Sequence, residues 1–150
     1  MIIQYTIDKL EQQHLENGFI ETLSFLSKTD TISQEKLIET FTKLKQNANS
    51  NIFVAVTSEG KVIGTTTLLI EQKFIHNCGL VGHIEDVVVH GKFRGEGIAD
   101  CLIEKAIKVA KEAGCYKVIL DCNEKLVPFY QKFGFNKHEI EMRFELKKDF

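Results

Sequence analysis

The sequence predicts an α+β domain, a mixed sheet with flanking helices, from three observations. Apolar runs of strand and helix period follow one another in the order β-α-α-β-β-β-α-β-α-β. Two of the strand-like runs flank Ser58-Glu59-Gly60, a hairpin signal. Residues 83–122 read as a strand, a glycine turn, an amphipathic helix and a second apolar strand, which together make one β-α-β unit.

The elements follow in order. Residues 1–7 read as a first strand, and Asp8 with Glu11 has the spacing of a capping box that opens a helix. Leu15, Phe19, Leu23 and Leu26 recur at helical spacing, with Asn17-Gly18 placed to kink the run. Ser33 is the expected N-cap of a second helix, whose apolar stripe is Leu37, Phe41 and Leu44; Ile32 and Leu37 sit at staple positions. Residues 51–57 and 61–71 are the hairpin strands, 72–82 a loop, and 83–89 the next strand. Ile98, Leu102, Ala106, Val109 and Ala113 mark a helix that Gly114 stops. Residues 116–122 form an apolar strand, and 124–133 a short helix with Pro128 near its start. Residues 135–146 supply one or two closing strands.

Composition narrows the function classes. The 150 residues, 43% hydrophobic and 27% charged, predict a single globular domain over 1–150. Nineteen basic against 21 acidic residues give a net charge of −2, so neither a nucleic acid nor a membrane is the expected partner. No apolar run reaches the roughly 20 residues of a membrane span, and the N-terminal residues lack the pattern of a secretory signal. Cys78, Cys101, Cys115 and Cys122 have no C-x-x-C spacing, which predicts reduced thiols in a cytoplasmic protein and no metal site.

The chemistry concentrates in residues 83–99. Arg94-Gly95-Glu96-Gly97-Ile98-Ala99 joins a Val-rich strand to a helix. Glycines let a ligand approach the backbone, and a helix N-terminus offers unpaired N–H groups and a positive dipole end, so the turn is either a diphosphate cradle or a tight turn that binds nothing. The absence of G-K-[ST] excludes a P-loop, and Asp100 stands where a dinucleotide fingerprint needs its third glycine. Glu85-Asp86 interrupts the apolar strand; the pair marks either a β-bulge beside a site or a sheet end facing water. Cys122 has no histidine beside it in sequence to activate it and reads as structural. His83 and His138 read as structural or surface residues, and Tyr130 on its residues alone as a core aromatic.

Arg94-x-x-Gly97-x-Ala99 after that strand resembles the coenzyme motif of the GNAT acetyltransferase superfamily. Gly82-His83-Ile84-Glu85-Asp86-Val87-Val88-Val89, Gly114-Cys115-Tyr116-Lys117-Val118-Ile119-Leu120-Asp121-Cys122 and Phe129-Tyr130-Gln131-Lys132-Phe133-Gly134-Phe135 resemble its glucosamine-6-phosphate branch, as do Lys73-Phe74-Ile75-His76 and Thr22-Leu23-x-x-Leu26. The resemblance covers about residues 20–145.

It implies the GNAT fold, with the mixed sheet splayed between its fourth and fifth strands. It also implies transfer of acetyl from acetyl-CoA, as co-substrate, to the 2-amino group of glucosamine 6-phosphate, a step of UDP-N-acetylglucosamine biosynthesis. On that reading Val87, Val88 and Val89 meet the pantetheine arm, and Arg94, Gly95, Glu96, Gly97, Ile98 and Ala99 wrap the diphosphate. Glu85 is the candidate general base, directly or through water, with Asp121 orienting the amine; an N–H near Val87 serves the thioester oxygen and Tyr130 the leaving sulfur. Ser27, Lys73, His76 and Arg143 are the phosphate candidates, with Asp86 and Asp121 for sugar hydroxyls. A gapless alignment puts Glu145 where the branch carries an arginine, and a two-residue shift restores Arg143 on the same strand face. The resemblance further implies a homodimer with shared sites. The alternatives are a GNAT enzyme for another amine (a protein N-terminus, lysine or aminoglycoside) and a non-catalytic acyl-CoA-binding module.

Overall fold

Two β-rich runs with a tight glycine turn between them fold back on each other and seed the sheet. In the computed structural model, which describes residues 2–29 and 31–147, Ser50–Thr57 (β2) pairs antiparallel with Val62–Gln72 (β3). Gly60 takes the left-handed φ of 83° that closes the turn. Tyr5–Lys9 (β1) joins the outer edge of β2, and Leu80–Val89 (β4) the far edge of β3, both antiparallel. Cys115–Ile119 (β5) adds in parallel, giving the order β1-β2-β3-β4-β5. The helices are Ile20–Leu23 (α1), Gln34–Gln46 (α2), the single turn Ile75–Cys78 (α3), which is left-handed at His76, Asn77 and Cys78, Ile98–Glu112 (α4) and Val127–Gln131 (α5). This is the mixed sheet with flanking helices that the sequence predicts.

Each face of the sheet is covered by apolar side chains at the predicted periods. α4 buries Ile98, Leu102, Ile103, Ala106 and Ala110. It lies so close to β3 that a Cβ on Gly64 would come within 2.8 Å of Ile98 Cγ2, so the helix seat requires glycine there. Each large aliphatic buried on this face contributes about 1.5–3 kcal/mol. A second cluster, Leu10, Leu15, Phe19, Phe41, Val54, Val56 and Val62, gathers the N-terminal segment and α2 onto the sheet. Gly18, at φ 92°, makes the kink expected of Asn17-Gly18. Ser33 caps α2 by accepting a hydrogen bond from the Lys36 N–H at 3.3 Å. No described helix is long and apolar enough to cross a membrane.

The chain divides into two compact units, Met1–Ile119 and Leu120–Phe150. The first holds the sheet and α1 to α4, and the second holds the turn Glu124–Leu126, α5 and the segment that follows it. Pro128 sits in the first turn of α5, as expected.

Five expectations need correction. The first strand is Tyr5–Lys9 where residues 1–7 are expected, Met1 lying outside the described residues, and it takes in Asp8, which faces Val54 across the ladder. The capping box therefore belongs to Glu11 and His14, with the Glu11 N–H donating to His14 Nδ1 at 2.9 Å: sheet pairing overrides the local spacing at Asp8. The fourth strand starts at Leu80, three residues early, because β3 runs on to Gln72 and supplies it with partners. The fifth strand stops at Ile119, where its ladder with β4 ends at His83, so Asp121 and Cys122 lie beyond it. Finally, residues 135–147 form no strand. The alternation is there, yet Ile140, Met142, Phe144 and Leu146 are 86–90% exposed, with no ladder to join among the described residues.

Candidate active site

The site begins with a fault in β4. Thr65 faces Val88 and Thr67 faces Glu85, so Asp86 and Val87 together oppose Thr66 alone. This is the β-bulge that the Glu85-Asp86 pair suggested, and Asp86 adopts a left-handed φ of 51° to make it. Thr66, fully buried, donates its hydroxyl to the Glu85 carbonyl at 3.2 Å and secures the distortion from the β3 side.

β4 is paired on both edges only in its first half. The parallel ladder to β5 runs from Leu80↔Cys115 to His83↔Ile119 and ends, while β4 continues to Val89. The second half of β4 therefore has no β5 partner after residue 83. The His90 N–H donates to the Ile63 carbonyl at 2.9 Å, and Val88 is paired with Thr65. Backbone groups alternate in direction along a strand, so Val87 and Val89 aim away from β3, toward the edge that β5 has left. Val88 fixes the arrangement with a side chain only 6% exposed.

The turn after β4 opens on the same region. Arg94 Nε donates to the Val89 carbonyl at 3.4 Å, and the guanidinium lies 5.9 Å from the Phe25 ring centroid. Gly95 (φ 85°) and Gly97 (φ 74°) both need the left-handed region, and a Cβ on either would meet nothing within 4 Å. The turn is thus strained for side chains but roomy for a ligand. Gly97 caps α4 without a side chain, which leaves the first N–H groups of a 15-residue helix without intrahelical acceptors. Glu96 is exposed, Ala99 half-buried, and Ile98 buried as the anchor of the helix. A diphosphate fits this set of donors, and an extended amide chain fits the Val87–Val89 edge.

The other candidates in the first unit are distributed around the bulge. Glu85 is exposed and lines an open cleft of about 440 Å³ with Asn47, Asn49, Glu71 and His83. Lys73 pairs with Glu71 at 2.7 Å, and that contact holds the Glu71 carboxyl below its usual range, with His83 at 3.7 Å adding to it. His76 is exposed at a left-handed φ of 51°, its ring 4.4 Å from that of Tyr116. Ser27 is exposed just beyond α1.

In the second unit, Asp121 is exposed. Tyr130 is 7% exposed, in edge contact with Phe129 and Phe135. Burial, assisted by nearby Cys122, pushes the Tyr130 phenol above its ordinary value, so the hydroxyl keeps its proton. Arg143 lies between Glu141 at 3.2 Å and Glu145 at 3.6 Å, the latter being the charge-reversed position. His138 is exposed beside Glu139.

Two residues of the first unit escaped the sequence reading. His90 is 2% exposed directly before the glycine turn, and its Nε2 lies 2.9 Å from Glu21 in α1. The two positions are 69 residues apart, and no local pattern connects them.

The chain is similar to known proteins in sequence and in fold. A family model described as "Acetyltransferase (GNAT) family" matches residues 7–135. Glucosamine 6-phosphate N-acetyltransferase of Arabidopsis thaliana is 37% identical over 140 residues, covering 92% of this chain and 94% of the relative. The Candida albicans protein of the same name is 38% identical over 143 residues, covering 92% and 93%. The crystal structure of the Arabidopsis thaliana enzyme superposes with a TM-score of 0.93 at 36% identity, covering 96% of this chain and 99% of that one.

Proposed function

Because the chain belongs to the Acetyltransferase (GNAT) family, we propose that it transfers acetyl from acetyl-CoA to the 2-amino group of glucosamine 6-phosphate, with residues 1–150 acting as one acetyltransferase domain. The observation that carries this reading is the open half of β4, beyond the bulge, continuous with a glycine turn and the bare N-terminus of α4. The names of the high-coverage relatives support the acceptor.

Acetyl-CoA, as co-substrate, supplies the activated acyl group; the rest of the chemistry falls to the chain. Val87 and Val89 pair with the amide groups of the pantetheine arm as a missing strand would. The N–H groups at Ile98 and Ala99, the turn glycines and Arg94 hold the diphosphate. The Val87 N–H donates to the thioester oxygen as negative charge grows on it. Glu85 takes the proton from the amine, directly or through a water, so that the nitrogen attacks with a free electron pair. Asp121 orients that amine through its carbonyl. Tyr130, kept protonated by burial, donates to the sulfur as it leaves. Asp86 and Asp121 bind sugar hydroxyls. Lys73, His76, Ser27 and Arg143 meet the phosphate, which competes with Glu71 for Lys73 and with Glu141 and Glu145 for Arg143.

The partner is a second copy of this chain. Residues 140–146 present an apolar face at strand period that this chain leaves exposed, and a shared sheet would bury it. The four free thiols support a reducing, cytoplasmic setting.

The test is release of free CoA thiol from acetyl-CoA with glucosamine 6-phosphate as acceptor. Turnover with this sugar and little with glucosamine or peptide amines is expected. Turnover only with other amines would remove the acceptor, and CoA binding without turnover for any amine would remove the enzyme reading.

A further inference from the structure

The buried imidazole of His90 is the group that no step above uses, and both of its nitrogens are engaged. The Lys92 N–H donates to Nδ1 at 3.2 Å. An Nδ1 that accepts leaves the ring proton of the neutral imidazole on Nε2, which lies 2.9 Å from Glu21 Oε1 and so donates to it. The other oxygen of Glu21 meets Lys61 Nζ at 3.2 Å. His90 and Lys61 both draw the Glu21 carboxyl below its usual range, His90 the more strongly, as a fixed carboxylate acceptor requires.

The ring is also packed on both sides. Phe25 lies 4.5 Å from it and Phe93 5.3 Å, centroid to centroid. Phe25 in turn abuts Gly91, where a Cβ would come within 2.7 Å of the ring, and carries the Arg94 guanidinium. The segment bearing Glu21 and Phe25 is itself held on the sheet. Buried Thr22 donates to the Val62 carbonyl at 3.1 Å, and Gly18 lies against the same carbonyl.

We infer that His90, oriented by Glu21, is a positioning residue for the coenzyme: it fixes residues 91–97 so that Arg94 and the glycine N–H groups stand ready for the diphosphate. The turn contains two glycines with no side chain to pack, and a Cβ at either would meet nothing within 4 Å. Without the clamp, its ordering would have to come from the binding energy of the ligand. His90 touches neither thioester nor amine in this account, so the chemical step does not depend on it. The inference rests on the coenzyme reading of the site.

Charge and geometry act with opposite sign at Glu21, which makes the test sharp. Removing a carboxylate near an anion site strengthens anion binding by charge alone. Removing the acceptor that orients His90 weakens it. Glu21→Ala removes both the charge and the acceptor, whereas Glu21→Gln removes only the charge and keeps an oxygen for Nε2–H.

The experiment measures CoA binding by calorimetry, and steady-state kinetics with acetyl-CoA and with acetyl-pantetheine, which has no diphosphate. Glu21→Ala should raise Kd for CoA and KM for acetyl-CoA about three- to tenfold, the range of one typical lost hydrogen bond. Its kcat, its KM for the amino sugar and its kinetics with acetyl-pantetheine should stay within twofold of wild type. Glu21→Gln should bind CoA as tightly as wild type or tighter. His90→Phe, which fills the pocket without either hydrogen bond, should weaken CoA more than Glu21→Ala. Unchanged CoA affinity in Glu21→Ala while wild type binds CoA would overturn the clamp alone. So would equal damage with both thioesters, or a Gln variant as weak as the Ala variant. Wild type that binds no CoA would overturn the coenzyme reading and the clamp with it.

Discussion

Two strand-like stretches of this chain have an edge that no described strand pairs with, and they differ in what holds them. Residues 84–89 of β4 have lost β5 on one edge but keep β3 on the other, and Ile84 and Val88 are buried. Their unpaired groups are fixed in space by the half of the strand that is paired. Residues 140–146 alternate apolar and polar as cleanly, yet they join no ladder, and Ile140, Met142, Phe144 and Leu146 all lie open. A half-paired strand is a preset slot for one extended small molecule, because the ordering cost is already met by the sheet. An unpaired segment with a whole apolar face needs another sheet to bury it. On the proposed reading the first edge takes a coenzyme and the second a copy of the chain.

The largest effect should come from proline on the first edge. Val87→Pro removes an N–H that faces the opening, so the fold should survive, as edge prolines do. Loss of that donor should cut kcat by about 10²–10³, the scale of a missing oxyanion donor. Val88→Pro removes a ladder hydrogen bond to β3 and should unfold the protein instead. Thermal melts with initial rates separate the two, and equal behaviour of the two variants would break the contrast between the edges.

Next is Tyr130→Phe, which should lower kcat about 10- to 100-fold while leaving KM for acetyl-CoA near wild type, on the scale of a lost general acid. The wild-type rate should show no loss from this group up to its ordinary value of 10.0, since burial raises the pKa and the phenol stays protonated longer. A phenylalanine variant at wild-type rate would remove Tyr130 as the acid.

On the second edge, Met142→Glu with Phe144→Glu should convert a dimer into a monomer of 17.1 kDa in sedimentation velocity. Each of these side chains contributes about 1.5–3 kcal/mol when buried, so the dimer should weaken at least about 100-fold. A wild-type monomer, or a variant still dimeric, would show that this face is not covered by a second chain. The smallest effect belongs to Gly97→Ala. Forcing alanine to φ 74° costs about 1–2 kcal/mol, with no steric clash to add. A modest fall in Tm and a few-fold rise in KM for acetyl-CoA are expected, with kcat unchanged.

The sequence made the first edge legible and the second only half so. Two adjacent carboxylates in an apolar strand need an explanation, and the bulge at Asp86 is that explanation. Gly95, Gly97 and the apolar period from Ile98 mark the turn and the start of α4 directly. Alternation at 140–146 says which face is apolar but not whether a partner lies in the same chain, so the closing strands were expected where none forms. Asp8 and Glu11 satisfy a capping rule as well as Glu11 and His14 do, and only the ladder of β1 with β2 decides between them. The left-handed run His76, Asn77 and Cys78 contains no glycine to announce it. Glu21 and His90 meet through tertiary structure alone.

Amide hydrogen exchange resolved by residue, with and without acetyl-CoA, tests the central claim most directly. Val87 and Val89 should exchange quickly in the free protein and become strongly protected when acetyl-CoA binds. Val88, already paired with Thr65, and Val81, paired with Glu71 on one side and Lys117 on the other, should change little. Protection of Val87 and Val89 before any ligand is added, or no gain at either on binding, would contradict the account.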